Sequence, residues 1–156
     1  MAATAEETIV KLEAMIQKYY TGLALTFEKP DVQKYLSAGE DFIRKLTPED
    51  CAIAAITLTQ YAMFVQKHYN NELAVVNWAT QRIRSQIAPN VNQYNAPNAE
   101  ERRAMAIMGD EYAKKLDQLR SLAQIRVDSL TNTCYQINDM ARRFDSAGMS
   151  KRKQNG

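Results

Sequence analysis

The feature that most constrains the fold is a long segment, residues 52–88, that contains neither proline nor glycine. Apolar residues recur along it at every third or fourth position, which is the spacing of one buried helix face. The residues directly before it form a helix-start signal. Thr47 can cap free backbone amides, Pro48 suits the first helical position, and Asp50 is the acidic partner of a capping box. We therefore predict one continuous helix of about 40 residues, about 60 Å long, that begins here.

A second striped segment follows a polar elbow at residues 89–98. The elbow has Pro89 and Pro97 near its ends and contains five amide side chains. Asn98 is a good helix cap, and the apolar series that follows continues to Gly148, where a glycine is typical of a helix end. The members of this series are Met105, Met108, Tyr112, Leu116, Leu119, Ala123, Val127, Leu130, Cys134, Ile137, Ala141 and Phe144. Residues 149–156 are predicted to be a mobile basic tail.

Both apolar stripes are narrow, which predicts that the two arms pack as a long antiparallel, coiled-coil-like hairpin. We place the reversal near Tyr94, so the numbers of facing residues should add to about 187. This register sets Trp78 opposite Gly109, a large side chain over a gap. It also sets Cys51 near Cys134. Because no export signal is evident, we expect reduced, buried thiols rather than a disulfide.

The apolar spacing within residues 1–46 predicts a pair of shorter helices, at 4–28 and 31–46. Pro30 separates the two, and Gly39 is a weak point within the second. We expect this pair to pack along the open end of the hairpin. The predicted fold class is therefore all-α with about four helices, arranged as an N-terminal pair (1–46), a hairpin (47–148) and a tail (149–156) within one structural domain.

A hairpin of this length has more apolar surface than its own seam can cover. Several large apolar residues lie partly outside the two main stripes, and contiguous exposed apolar surface usually marks a partner site. We therefore predict a homo-oligomer. The candidate interface residues are Phe64, Trp78, Leu122 and Ile125.

Charge is unevenly distributed although the net charge is only +2. Through Thr80 there are 7 Lys/Arg against 10 Asp/Glu, and from Gln81 onward there are 13 against 8. The second half is therefore about +5, which suits an anionic partner. A mixed, solvated helix surface would explain the same asymmetry.

Four arginines flank the elbow and should meet at the tip of the hairpin. Arginine is well suited to phosphate and carboxylate, and a tyrosine in the elbow could stack on a base. Positive charge together with a stacking surface is typical of proteins that bind single-stranded nucleic acid. The candidate binding residues are Arg82, Arg84, Tyr94, Arg102 and Arg103. The alternative is that these arginines, like the basic residues at 142–153, only solubilise helix ends.

Motifs of enzymes and metal sites are absent from the sequence. There is no glycine-rich phosphate loop, no His-Glu-x-x-His and no Cys-x-x-Cys. The single histidine, His68, has Glu72 one turn later, and we interpret the two as a hydrogen-bonded surface pair rather than metal ligands. We therefore expect a protein that is not an enzyme and has no cofactor.

No apolar run approaches the roughly 20 residues that cross a bilayer, and the N-terminus is acidic, so we expect no membrane association and a cytoplasmic protein (host cytoplasm if phage-encoded).

The central and last segments resemble the phage recombination-mediator family (UvsY-like). The resemblance covers about the last two-thirds of the chain. It rests on Gln-Lys-His-Tyr at 66–69 before a long helix, the basic-x-basic step Arg82-Ile83-Arg84, an aromatic residue in the loop, and the last helix at 135–143. Membership would imply a small helical protein that forms a ring and binds single-stranded DNA through the basic-x-basic element. It would also imply that the protein helps to load a recombinase while displacing single-strand-binding protein.

Two functions remain open at this point. The leading prediction is a non-enzymatic, oligomeric single-stranded DNA-binding protein of the recombination-mediator type. The alternative is a phage structural or adaptor protein that acts through protein–protein contacts of the hairpin, with the apolar residues near Phe64 and Trp78 carrying the function.

Overall fold

The computed structural model describes residues 4–21 and 30–156, and within these ranges the chain is helical with no strand. The α-helices are α1 (Ala5–Thr21), α2 (Pro30–Leu36), α3 (Glu40–Lys45), α4 (Pro48–Ile87), α5 (Ala99–Met108) and α6 (Glu111–Asn155). A short 3-10 helix, Val91–Gln93, lies in the elbow. The all-α class is confirmed, with two long helices, α4 and α6, as its main elements.

Helix α4 begins and ends where the sequence predicts. The amide of Asp50 donates to the Thr47 hydroxyl at 3.1 Å, and the amide of Thr47 donates to the Asp50 carboxylate at 3.4 Å. This reciprocal pair satisfies free amides at the helix start. The helix then continues for 40 residues and stops at Ile87, two residues before Pro89.

The chain divides into two compact units. Among the described residues, unit 1 comprises 4–21 and 70–127, and unit 2 comprises 30–69 and 128–156. Helices α4 and α6 each contribute one part to each unit.

Unit 1 is built from α1, the last part of α4, α5 and the first part of α6. These four segments share one apolar core, which contains Leu12, Ile16, Tyr19, Ile83, Ile87, Ala106, Ala113, Leu116, Leu119, Leu122 and Ala123. Two polar contacts hold α1 on α6: Lys115 pairs with Glu13 at 2.8 Å, and the Gln118 amide donates to the Tyr20 hydroxyl at 2.9 Å. Burial of the shared apolar surface is the main stabilising contribution.

Unit 2 is built from α2, α3, the first part of α4 and the last part of α6. Its buried residues include Val32, Ala54, Leu58, Val65, Leu130, Ile137, Ala141 and Phe144. The ring of Tyr35 packs edge-on against Phe144, with ring centroids 5.6 Å apart. Cys51 and Cys134 are both buried, as predicted, and both are free. The predicted closeness of the two is wrong, because Cys51 lies opposite Gly148.

The register of the hairpin differs from the predicted one. The facing pairs are Gln86 with Asp110, Glu72 with Arg126, and Cys51 with Gly148, and their numbers add to 196, 198 and 199 rather than about 187. The reason is that the second arm is not one helix. Helix α5 stops at Gly109, and Asp110 starts α6 by accepting the Ala113 amide at 2.8 Å. An extra helix inside the reversal moves its midpoint to about residue 98.

The predicted pairing of Trp78 with Gly109 is therefore wrong. A Cβ on Gly109 would collide with the Tyr94 hydroxyl, so tyrosine, not tryptophan, occupies the space that this glycine leaves. In unit 2, Gly148 has the role predicted for Gly109. A Cβ there would lie 3.1 Å from the Cys51 Cβ, so the glycine permits a close approach of α4 and α6.

Two predicted helix boundaries are also corrected. Helix α6 continues through Gly148 to Asn155. The segment 31–46 forms two helices, with Gly39 as the N-cap of α3. The described part of the first helix, α1, spans Ala5–Thr21, and residues 22–28 of the predicted helix lie outside the described residues.

Within unit 2, the side chain of Lys151 links the last turns of α6 to the end of α3. The Lys151 ammonium donates to the carbonyl oxygens of Ile43 at 2.5 Å, of Arg44 at 3.1 Å, and of Leu46. These carbonyls lie at the C-terminal end of α3, the negative end of the helix dipole, which attracts a cation. Lys151 thus has a structural role that the basic composition of the tail did not indicate.

Candidate nucleic-acid interface

The last turns of α4 separate Arg82 from Arg84. Ile83 and Ile87 point into the core of unit 1, where both are buried. Residues two positions apart on a helix differ by about 200° in direction, so the two arginines on either side of Ile83 project to opposite flanks. Only one of them can therefore face α5.

Arg84 meets Arg102 and Arg103 at a groove of about 300 Å³, which we call the arginine groove. The groove is lined by Arg84, Ile87, Ala88, Val91, Asn92, Ala99, Arg102 and Arg103. Arg84 and Arg103 are exposed and Arg102 is half-buried. Within residues 4–21 and 30–156, none of these three guanidinium groups forms an ion pair. The groove therefore concentrates positive charge that the described chain does not neutralise.

The surroundings of the groove favour an anion. Ala99 is the first residue of α5, so the positive end of that helix lies at the groove wall. The nearby carboxylate of Glu101 is engaged elsewhere: it accepts from the Asn98 side chain at 3.0 Å, while the Glu101 amide donates to the same side chain at 2.8 Å. Asn92 adds an exposed amide at the groove.

Arg82 does not join this group. It lines a separate groove of about 220 Å³ together with Ala5, Thr8 and Ile9 of α1 and with Gln86 and Tyr112. The structure thus brings together three of the four predicted arginines. The splay of Arg82 and Arg84 followed from helical spacing, whereas the choice between the two flanks depends on where α1 and α5 pack.

Tyr94 is placed for packing rather than for stacking on a base. Its ring is half-buried against the core of unit 1, and its hydroxyl abuts Gly109. Tyr94 is also not among the residues that line the arginine groove. The predicted stacking role is therefore corrected: the groove offers cations and an amide, without this aromatic surface.

Glu72, which the sequence pairs with His68, contacts two other side chains. One Glu72 oxygen accepts the Tyr19 hydroxyl at 2.5 Å, and the other accepts from the Arg126 guanidinium at 3.0 Å. The His68 ring packs edge-on to Phe64, with centroids 4.6 Å apart. The Arg126 guanidinium also lies over the Tyr19 ring, 4.8 Å from its centroid.

This cluster perturbs one titratable group. Burial raises the pKa of Tyr19 well above its ordinary value, and the hydrogen bond to Glu72 and the charge of that carboxylate raise it further. The positive charge of Arg126 acts in the opposite direction but is the smallest contribution. The cluster was missed because its three members come from α1, α4 and α6, far apart in sequence. Across the described ranges, no group of three His, Cys, Asp or Glu side chains is placed to hold a metal.

The predicted oligomer interface is revised at one position. Leu122 is only 8% exposed and belongs to the core of unit 1, to which α1 and α4 also contribute residues. Phe64, Trp78 and Ile125 are exposed, Trp78 by 45%. An additional set of exposed apolar residues, Ile53, Ile56 and Met63, lies on the first part of α4.

Comparison with known proteins identifies no relative of this chain. No protein-family model, curated protein or solved structure matches it. In the described part of the chain, no helix combines the length and the apolar character needed to span a bilayer.

Proposed function

We propose that this protein is a non-enzymatic, oligomeric single-stranded DNA-binding protein of the recombination-mediator type, and that the arginine groove contacts the DNA backbone. The observation that supports the proposal most directly is the convergence of Arg84, Arg102 and Arg103 on one groove without carboxylate partners. Guanidinium groups match phosphate oxygens in geometry and charge.

The composition of the groove sets the character of the binding. Phosphate contacts carry no sequence information, so we expect binding that does not depend on base sequence. Each neutralised phosphate of a single strand lowers the slope of log K against log salt by about 0.7, so three arginines predict a slope of about −2 for each subunit. Such a site is weak alone, and an oligomer would strengthen it by engaging one strand at several subunits.

Fluorescence anisotropy with a labelled oligo-dT across a range of salt concentrations tests the proposal. The Arg84→Ala/Arg102→Ala variant should bind more weakly at low salt and show a shallower salt slope. The Arg142→Ala/Arg152→Ala variant removes the same charge from exposed positions of α6 and should bind as the natural chain does. Equal affinity for oligo-dT in the first variant and the natural chain would refute the site assignment.

A third variant distinguishes the binding site seen in the structure, which excludes Arg82, from the site predicted from the sequence, which includes it. Arg82 lies on the flank away from the arginine groove. Arg82→Ala alone should therefore weaken binding less than Arg84→Ala alone. The roles of a recombinase and of single-strand-binding protein as partners are part of the proposal, and strand-exchange assays with and without this protein would test them.

The second candidate function is a phage structural or adaptor protein. It is favoured by the exposed apolar residues of α4 and by Trp78, which a protein acting only through phosphate contacts does not require. This function predicts no shift of oligo-dT at low salt, together with retained self-association or binding to another protein.

A further inference from the structure

Helix α4 carries a second, outward-facing apolar stripe within unit 2. Its positions are Glu49, Ile53, Ile56, Gln60, Met63 and Lys67, separated by alternating steps of four and three residues. Ile53, Ile56 and Met63 are 56%, 58% and 69% exposed, and the other three are exposed as well. Alternating four–three spacing is the pattern of a coiled-coil seam. We call these six positions the outer stripe.

The core of unit 2 does not account for the outer stripe. That core uses the opposite face of the same helix, where Ala54, Leu58 and Val65 are fully buried. At 100° per residue, the outer stripe is centred about 160° away from these three positions. A helix that packs only on its own chain needs one apolar face, so the second face indicates a partner.

The charges at the ends of the stripe indicate what that partner is. Its first position is acidic, Glu49, and its last is basic, Lys67. When two copies of the stripe run antiparallel about a two-fold axis near Leu58, Glu49 meets the partner's Lys67 at both ends. Ile53 then meets the partner's Met63, and Ile56 meets the partner's Gln60. A parallel pair would instead place like charges against each other at both ends.

We propose that the outer stripe binds the outer stripe of a second copy of this chain as an antiparallel, two-fold symmetric helix pair. Such an interface is self-complementary, as closed dimers require. The paired length, from Glu49 to Lys67, is about 27 Å. An interface this small falls in the weak class, so we expect a concentration-dependent dimer rather than a permanent one. This inference specifies how the oligomer of the proposed function assembles, and it rests on the proposed function for the expectation that the chain self-associates. It requires neither the arginine groove nor DNA.

Analytical ultracentrifugation of the full chain without nucleic acid tests the charge pairing. Glu49→Lys and Lys67→Glu each place like charges together twice, so each should raise the dimer dissociation constant by about tenfold. The double variant Glu49→Lys/Lys67→Glu restores opposite charges and should recover the natural dissociation constant. Arg142→Glu, a charge reversal at an exposed position of α6, is the matched control and should change nothing.

Cysteine cross-linking tests the orientation. Mixing the Ile53→Cys and Met63→Cys variants under mild oxidation should give a cross-linked heterodimer in higher yield than either variant alone. The two natural cysteines are buried and should not interfere.

Three results would overturn the inference: a natural chain that is monomeric at all concentrations, a dimer dissociation constant that neither charge reversal changes, or preferential cross-linking of Ile53→Cys with itself. Binding to oligo-dT is measured separately by anisotropy. If the natural chain is a monomer but binds oligo-dT through its arginines, this inference alone is refuted. If the natural chain dimerises but does not bind oligo-dT, only the DNA-binding proposal is refuted.

Discussion

Replacing Glu72 by alanine is the most informative single perturbation of unit 1. This carboxylate uses both oxygens, one for the Tyr19 hydroxyl at 2.5 Å and one for the Arg126 guanidinium at 3.0 Å. The Glu72 and Arg126 side chains are only 13% and 15% exposed. Removing the carboxylate therefore deletes the acceptor that the Tyr19 hydroxyl and the Arg126 guanidinium share inside the protein.

The expected cost follows from this burial. Breaking a buried ion pair by deleting one partner costs about 3–5 kcal/mol, because the remaining charge is not compensated. The residual exposure of Arg126 allows some hydration, so we place the loss at the lower end, about 3 kcal/mol. For a chain of this size, each kcal/mol lowers the melting temperature by roughly 2–4 °C. Glu72→Ala should therefore melt roughly 6–12 °C below the natural chain.

Thermal and urea unfolding followed by circular dichroism would measure this loss. The double variant Glu72→Leu/Arg126→Met should be more stable than Glu72→Ala, because it removes the buried cation together with the carboxylate that pairs with it. Arg143→Ala is the matched control, because its pair with Asp139 is solvent-exposed and should contribute under about 1 kcal/mol. A Glu72→Ala variant that melts within 2 °C of the natural chain would contradict the reasoning, as would a double variant less stable than the single one.

Three further substitutions test individual contacts. Gly109→Ala should destabilise the protein by about 1–3 kcal/mol in chemical unfolding because its Cβ would strike the Tyr94 hydroxyl, and the loss should largely disappear in the Tyr94→Phe background. Lys151→Met removes the cation from the α3 carbonyls, so amides of residues 40–46 should exchange hydrogen faster while the rest of the chain is little changed. Because the folded pKa of Tyr19 is raised, its contribution to stability is fully present below the unfolded pKa, about 10, and is lost as pH rises above it. Tyr19→Phe should therefore lose less stability than the natural chain between pH 9 and 11 in urea titrations.

The sequence predicted the elements whose signals are local. The start of α4 was correct because Thr47 and Asp50 form a capping box within four residues, and the end was correct because Pro89 follows closely. Asn98 likewise caps α5 as predicted. Such signals act between neighbours in the chain, so they are largely independent of how the helices pack.

The predicted register of the two arms was wrong because helical spacing alone does not show where one helix ends and the next begins. The apolar series continues through Met105, Met108 and Tyr112 at helical intervals, although α5 ends and α6 begins within it. Gly109 followed by Asp110 is a stop signal followed by a cap, and it was the local evidence that could have revealed the break.

The candidate site was predicted only in part for a similar reason. The opposite directions of Arg82 and Arg84 follow from helix geometry, but their neighbours are set by tertiary packing. Helix α5 folds next to Arg84, and α1 lies next to Arg82. The burial of Leu122 has the same origin, because α1 contributes residues to the core in which Leu122 lies. No spacing rule within α4 or α6 contains this information.

The arginine groove and the outer stripe lie in different units, and this makes their cooperation testable. Under the proposed function, three arginines per chain would give weak binding, whereas two copies joined through the outer stripe would offer six to one long strand. The dimer-deficient Glu49→Lys variant should therefore bind a long oligo-dT at least tenfold more weakly than the natural chain, with about half its salt slope. A short oligo-dT that spans one groove should bind both proteins equally, because it gains nothing from the second copy. Equal loss for both lengths would mean that Glu49 acts on the groove itself, and no loss for either would mean that the two surfaces function separately.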